Sequence, residues 1–372
     1  MKVTAGSPAT NEEGICMNII VLAGGTSTER AVSIVSGTQV TKALRSIGHC
    51  AVLLDVFAGD GRIEEGLSDE ELKERVFTEE YDLNSQVEYI SSFNDMIEEM
   101  IAVRKRDRIP FFGPNVLRLC RIADVVFLAL HGSNGEDGRI QAAFDLLNIP
   151  YTGSGYLGSA LAMDKAIAKQ MFWHNGVPTP KGIAAKAGDE ILSPQCNGVG
   201  LPCVVKPSCG GSSVGVSIAR TQEEYEAALA EGFRYEDVLI VEQYINGREF
   251  SVGVVDGKAY PVIEIAPLQG FYDYHNKYQA GSTVETCPAD LPADLTVRMQ
   301  QHAMDAYHAL KLTGYGRIDI MMNEDNEMFC LEANTLPGMT PTSLLPQEAA
   351  ALGMDFAMLC QKLVDVSLKQ NI

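Results

Sequence analysis

Apolar and polar residues alternate with a period of two through RIDIMMNEDNEMFCLEAN, residues 317–334. Alternation on both sides of a polar knot, NEDNE, predicts two strands around a tight turn. A two-residue turn at Asp325-Asn326, whose residues tolerate positive φ, sets the register. Glu324 then faces Glu327, Asp319 faces Glu332, and Arg317 faces Asn334. Side chains two apart share a face, so Arg317, Asp319, Glu332 and Asn334 converge on one patch. Directly opposed carboxylates repel. A divalent cation between them accounts for keeping both, and oxygen-only donors suit Mg²⁺ or Mn²⁺ rather than zinc. The bland alternative is a solvent-facing polar edge without metal.

The N-terminal third alternates strand and helix. MNIIVLAGG reads as a buried strand entering a glycine turn, and TSTERAVSIVSG as the start of a helix. Thr26-x-x-Glu29 fits a capping box, so Glu29 reads equally well as a cap or as a functional group. The turn is not G-x-G-x-x-G, which weighs against a dinucleotide site. A second strand falls around residues 51–57. Residues 59–110 are acidic and helical in flavour, and the run RKRDR at 104–108 reads as a solvated helix end. The next buried strand, 124–130, empties into HGSNGEDG, which carries His131 and Glu136. Such alternation implies a parallel sheet with sites at the carboxyl ends of its strands, where Glu29 and His131 lie.

In the middle, a helix carries Lys165 and Lys169 four apart on one face. The bland reading makes both solvated. GLPCVVKPSCGGSSVGVSIA gives strand, loop, strand. Lys206 lies within the first of these strands, where an unpaired lysine is costly, so an anionic ligand is its natural partner. The loop 208–215 has a phosphate-cradling composition, though it is not a P-loop. VLIVEQYINGREFSVGVV reads as a strand pair with Glu242 and Glu249 flanking its turn. Glu242-Gln243-Tyr244 reads as a hinge whose backbone could meet adenine. Further on, PLQGFYDYHNKYQAGSTVETCPA is a long aromatic loop with one lysine, the habit of a lid. A helix is expected at 292–311, and NTLPGMTPTSLLP turns back over the hairpin.

Composition narrows the class. The 372 residues carry a formal charge of −20 at mean hydropathy +0.00. No apolar run approaches membrane-spanning length, so the expectation is no membrane partner. The charge argues against nucleic acid or an anionic surface, and it requires local lysines or metal for any anionic substrate. Nine cysteines without a C-x-x-C pair fit a reduced, cytoplasmic protein. Residues 1–16, polar and small, read as a disordered tail or as an upstream start chosen in error.

AGGTSTERAVS, HGSNGEDG, YTGSG with SALAMDK, VVKPSCGGSSVG, the FYDY-x-x-KY loop and GRID with LEANTLPGMTPTSLLP occur in one order. Together they resemble the D-alanine–D-alanine ligases of the ATP-grasp superfamily from Met17 to the C-terminus. The resemblance implies an α/β protein: an N-terminal αβα parallel-sheet domain at 17–153, then a two-lobed ATP-grasp fold with a central lobe at 154–241 and a C-terminal lobe at 242–372. It implies ATP-dependent joining of two D-alanines through an acyl phosphate, for peptidoglycan synthesis, by a homodimer. By position, Asp319, Glu332 and Asn334 would hold two Mg²⁺ or Mn²⁺ ions. Lys165 and Lys206 would grip phosphate. Glu242 and Glu249 would anchor adenine and ribose beside Tyr244, Met321 and Leu331. Arg317 and the Gly338 N–H would stabilise the oxyanion. Glu29 would orient the first D-alanine with His131 nearby, and Ser212 and Tyr278 would position substrate and proton. Lys277, Ser343 and Leu344 would hold the second D-alanine. Cys209-Gly210 and Gln243 depart from relatives, and 59–110 is longer than theirs. D-Ala–D-Ser and D-Ala–D-Lac ligases, and a nucleotide-binding pseudoenzyme, are the alternatives. Retained Tyr278 sets the chain apart from the lactate type, and Leu344 from a serine type with arginine there.

Overall fold

The computed structural model describes residues 16–63, 66–78, 82–190, 193–211, 214–267 and 283–369. β1 (Asn18–Ala23), β2 (Cys50–Asp55) and β3 (Val125–Leu128) form a parallel sheet in the order β2-β1-β3. Their near-continuous apolar runs are what strands covered on both faces require. The helix Arg30–Ser46 packs on β1 and β2. Its Gly37 lies so close to the sheet that a Cβ would sit 2.7 Å from that of Ala23. The acidic segment forms the helices Asp69–Val76, Leu83–Ser91 and Ile97–Asp107.

A second, antiparallel sheet follows. It comprises β4 (Gly182–Lys186), β5 (Cys203–Pro207), β6 (Ser217–Ala219) and β7 (Val238–Gln243), ordered β4-β7-β5-β6. The third contains β8 (Gly247–Val255), β9 (Lys258–Ala259), β10 (Ile263–Pro267), β11 (Thr283–Thr286), β12 (Tyr315–Asn323) and β13 (Met328–Asn334). Its order is β11-β10-β8-β12-β13, with β9 on β8, and the helix Ala293–Ala309 packs against it. The final helix, Phe356–Leu368, returns to the N-terminal sheet. There Leu359, Cys360, Leu363 and Val364 are fully buried in the same core as β1. Linear division of the chain at 242 does not convey that return.

Two local expectations are corrected. VLIVEQYINGREFSVGVV is not a strand pair: β7 lies between β4 and β5, whereas β8 lies between β10 and β12. Residues 244–246 contain no positive-φ residue to reverse the chain tightly. Tyr244 N instead donates to Pro202 O, so the segment crosses from one sheet to the next.

The β12–β13 hairpin has a longer turn than expected. Asn323 N donates to Glu327 O, and Asn326 has φ of +60°. Three residues therefore lie in the loop, and Glu324 does not face Glu327. Ile320 pairs with Cys330, yet Asp319 pairs with Glu332, because a β-bulge leaves Leu331 as the extra residue. The two one-residue departures cancel. Beyond the bulge, Asp319 faces Glu332 and Arg317 faces Asn334, as the alternation predicts.

Candidate active site

Two cavities adjoin where the three sheets meet. One, of about 420 Å³, lies between the second and third sheets. Val204, Val216, Ile218, Ile245, Met321 and Leu331 give it apolar lining, and Lys206, Glu242, Tyr244, Glu249 and Asp319 add polar groups. The other, of about 410 Å³, is lined by Glu29, His131, Glu136, Arg317, Gly338, Ser343 and Leu344 among others. Lys165, Gly210, Gly211 and Glu332 line both.

The partner that sequence reasoning sought for Lys206 is supplied by the chain. Lys206 Nζ lies 2.5 Å from Glu242 Oε1, and Lys169 Nζ pairs with Oε2. Lys169 also donates to Thr179 Oγ1 at 2.9 Å. Burial opposes the charge on Glu242, but the two lysines overcome it and hold the carboxyl below its usual range. Burial depresses the Lys169 amine, against the pull of Glu242. The bland alternative of a solvated Lys169 does not hold. Its side chain is only 11% exposed, because β7 brings Glu242 beneath the helix Lys165–His174. A helix-face pattern alone cannot reveal that contact.

Lys165 donates to Gly210 O at 2.6 Å and lies 3.3 Å from Glu332 Oε2. Burial alone would lower its amine. Glu332 and Glu136 reverse that and leave it above its usual value. Across the hairpin, Arg317 grips Asp319 with two bonds, Nε to Oδ1 at 2.9 Å and Nη2 to Oδ2 at 2.8 Å. Ser251 Oγ on neighbouring β8 donates to Oδ1 at 2.7 Å, and Asn334 Nδ2 to Oδ2 at 3.0 Å. Each opposed carboxylate thus already has a cation from the chain. Ser251 gave no sequence signal, since its role depends on β8 lying beside β12.

Glu29 is the N-cap residue of its helix but makes no side-chain capping bond, so the capping-box reading fails. Its carboxylate stands between two loops. Cβ atoms built on Gly132 and Gly211 would lie 3.3 and 3.0 Å from its Oε2. Arg30 beside it pairs with buried Asp55 at 2.5 Å and donates to Gly25 O at 2.9 Å, which fixes the turn. His131 is buried, with Nδ1 3.1 Å from Leu336 O and Nε2 3.4 Å from Ser36 Oγ. A carbonyl only accepts, so the ring proton belongs on Nδ1. Burial pushes the imidazole below its usual pKa. Ser343 is the N-cap residue of the helix Leu344–Ala351 but makes no side-chain capping bond; its Oγ accepts from Thr340 N at 3.1 Å. Ser212, Lys277 and Tyr278 lie outside the described residues.

Glu136 received no role from sequence, yet it ties the site together. Its carboxyl accepts from Gly132 N at 2.8 Å and Leu336 N at 3.4 Å. Burial and neighbouring Glu29 raise its pKa to about 7. The folded group therefore keeps a proton that the unfolded chain releases near pH 4.5. This contribution is full below that pH and is lost as pH rises to about 7. Between pH 4.5 and 7.5, wild type should lose roughly 2 kcal/mol relative to Glu136→Gln, allowing for partial exposure. Urea midpoints across that range check it. Parallel curves would contradict the raised pKa.

Residues 18–154 match the family described as D-ala D-ala ligase N-terminus, and residues 177–365 that described as D-ala D-ala ligase C-terminus. A D-alanine–D-alanine ligase of Pediococcus pentosaceus is 45% identical over 350 residues, 94% of this chain and 97% of the relative. One of Lacticaseibacillus casei is 43% identical over 359 residues, 95% and 96% of the two chains. Among solved structures, a D-alanine–D-alanine ligase from Bacillus anthracis superposes with TM-score 0.72 at 31% identity. It covers 96% of this chain and 99% of its own. A second structure of the Bacillus anthracis ligase, complexed with ATP, matches at 29% identity with the same TM-score. The parallel sheet followed by two antiparallel sheets is accordingly an ATP-grasp arrangement, and the chain belongs to the D-alanine–D-alanine ligase family.

Proposed function

We propose that this site joins two D-alanine molecules, converting ATP to ADP and phosphate, to supply a dipeptide for peptidoglycan. The observation that carries the reading is the shared wall. Lys165 and Glu332 face both an apolar cleft suited to a nucleotide base and a chamber ringed with charge. A phosphoryl group at that wall can pass from one cavity to the other. Tyr244, Met321 and Leu331 would form the apolar slot for adenine, with Glu242 and Glu249 anchoring adenine and ribose. Lys165 and Lys206 would hold phosphate, which requires Lys165 to leave Glu332 and Gly210. Glu29 would bind the first D-alanine's ammonium beside His131, and its carboxylate oxygen would attack the γ-phosphorus. Carboxylate itself is a poor electrophile, whereas the acyl phosphate is a good one. The second D-alanine, held by Ser343, Leu344 and Lys277, would attack that carbonyl through its amine. Arg317 and the Gly338 N–H would meet the oxyanion, while Ser212 and Tyr278 would order substrate and proton.

Asp319, Glu332 and Asn334 supply oxygen donors only, which fits Mg²⁺ or Mn²⁺. Among the described residues no three His, Cys, Asp or Glu side chains form a metal cluster. Phosphate oxygens and water would have to complete any coordination here. What bound divalent cations supply is neutralisation of the phosphates as the γ-phosphoryl group departs. Among the described residues no helix is long and apolar enough to cross a membrane. A cytoplasmic setting, where ATP is present and thiols stay reduced, fits nine free cysteines. A homodimer, tested by light scattering, completes the reading.

Phosphate release should need ATP, Mg²⁺ and D-alanine, and should fall sharply when D-serine or D-lactate replaces the second D-alanine. Release that ignores D-alanine, or none at all, overturns the proposal. Glu332→Gln should slow release at least about 100-fold without unfolding the chain. Because Glu332 already pairs with Lys165, relief of carboxylate repulsion should not stabilise this variant. Wild-type release by Glu332→Gln at limiting Mg²⁺ would remove it from the metal site.

A further inference from the structure

At the end of the substrate chamber stands a carboxylate to which the reaction above gives no task. Glu285 lies on β11, opposite Ile265 of β10, and lines the chamber with Thr342, Ser343 and Leu344. Its Oε2 accepts a hydrogen bond from Gln347 Nε2. The same nitrogen donates to Thr342 O at 2.9 Å. Gln347 thus ties Glu285 to the start of the helix Leu344–Ala351. Among the described residues no lysine, arginine or histidine pairs with Glu285, and its Oε1 has no hydrogen-bond partner.

Two opposite poles therefore adjoin. The helix start presents free N–H groups, no acidic residue in its first turn and no side-chain cap. That end attracts an anion. Glu285 beside it attracts a cation. An α-amino acid carries both charges on one carbon, whereas an α-hydroxy acid carries only the carboxylate.

We infer that Glu285 determines the choice of second substrate, by binding the incoming amino acid's ammonium while the helix start takes its carboxylate. The inference rests on the ligase reading above. A hydroxy acid placed there leaves Glu285 without its cation and sets two carboxylates side by side. An uncompensated charge is costly in an enclosed site, so the pocket rejects such substrates as well as favouring amines.

The test uses the full-length enzyme with ATP, Mg²⁺ and mixtures of D-alanine and D-lactate. Glu285→Gln should raise the KM for the second D-alanine about 10- to 100-fold, the scale of a lost charged hydrogen bond. The KM values for ATP and the first D-alanine should stay within about twofold, since neither ligand meets Glu285. The ester-to-dipeptide ratio should rise by about tenfold or more. Glu285→Asp, which keeps the charge, should keep the wild-type product ratio. Gln347→Leu separates this from a structural role: it should disturb KM but not the ratio. A Glu285→Gln ratio equal to wild type, or a Gln347→Leu enzyme with the full shift in ratio, overturns the assignment. Wild type that forms no dipeptide overturns the ligase reading instead.

Discussion

An Arg317→Met enzyme should turn over D-alanine about 1,000-fold more slowly than wild type while melting within a few degrees of it. Arg317 lines the substrate chamber, whereas Asp319, which it grips, lines the nucleotide cleft. On the proposed reading its removal takes away a fixed cation where negative charge would develop, and it also removes the group that grips Asp319. Asp319 keeps Ser251 and Asn334 as partners, and the β12 backbone keeps its pairing with β8 and β13. Most of the loss should therefore fall on kcat rather than on stability. Arg317→Lys restores charge without the two-pronged fork, so its rate should lie between the two. A methionine variant within tenfold of wild-type kcat would exclude Arg317 from the chemistry.

Glu242→Ala should destabilise the protein by about 3–5 kcal/mol, because it strands two buried ammonium groups beside each other. Lys169 and Lys206 are 11% and 9% exposed at their side chains and share this one carboxylate. Without it, both folded lysines should titrate lower than in the unfolded chain. The unfolded state then binds more protons, so the variant gains stability as pH rises toward about 10. Wild type should lack most of that gain. Denaturant midpoints for both proteins at pH 7 and 10 give the comparison. A variant as stable as wild type at pH 7, or one whose deficit ignores pH, would mean that water reaches the lysines freely.

What could be read ahead of the structure was what is local. Alternation of polarity brought Arg317, Asp319, Glu332 and Asn334 onto one patch, since period two follows from strand geometry. The same alternation could not reveal a bulge, because an extra residue at Leu331 leaves no mark in composition. Nor could it say which strands pair: β7 and β8 look alike in pattern and belong to different sheets. The pairing of Lys169, and Ser251 and Glu285 altogether, escaped the sequence for one reason. Each acquires its partner from a segment distant in sequence, and only the folded chain brings the two together. Glu136 sat in view within HGSNGEDG, but its bond to Leu336 N spans 200 residues.

Leu331 and Glu332 are consecutive, yet both line the nucleotide cleft, which regular alternation forbids. On the proposed reading Leu331 would meet the base and Glu332 the phosphate end. The hairpin thereby becomes a ruler whose smallest division is one Cα step, about 3.8 Å. It is engraved on β13, a strand paired with β12, rather than on a loop. A nucleotide with a stretched or shortened tether between base and terminal phosphate can satisfy one mark or the other. The pair that would meet base and phosphate would therefore also measure the length of the chain between them.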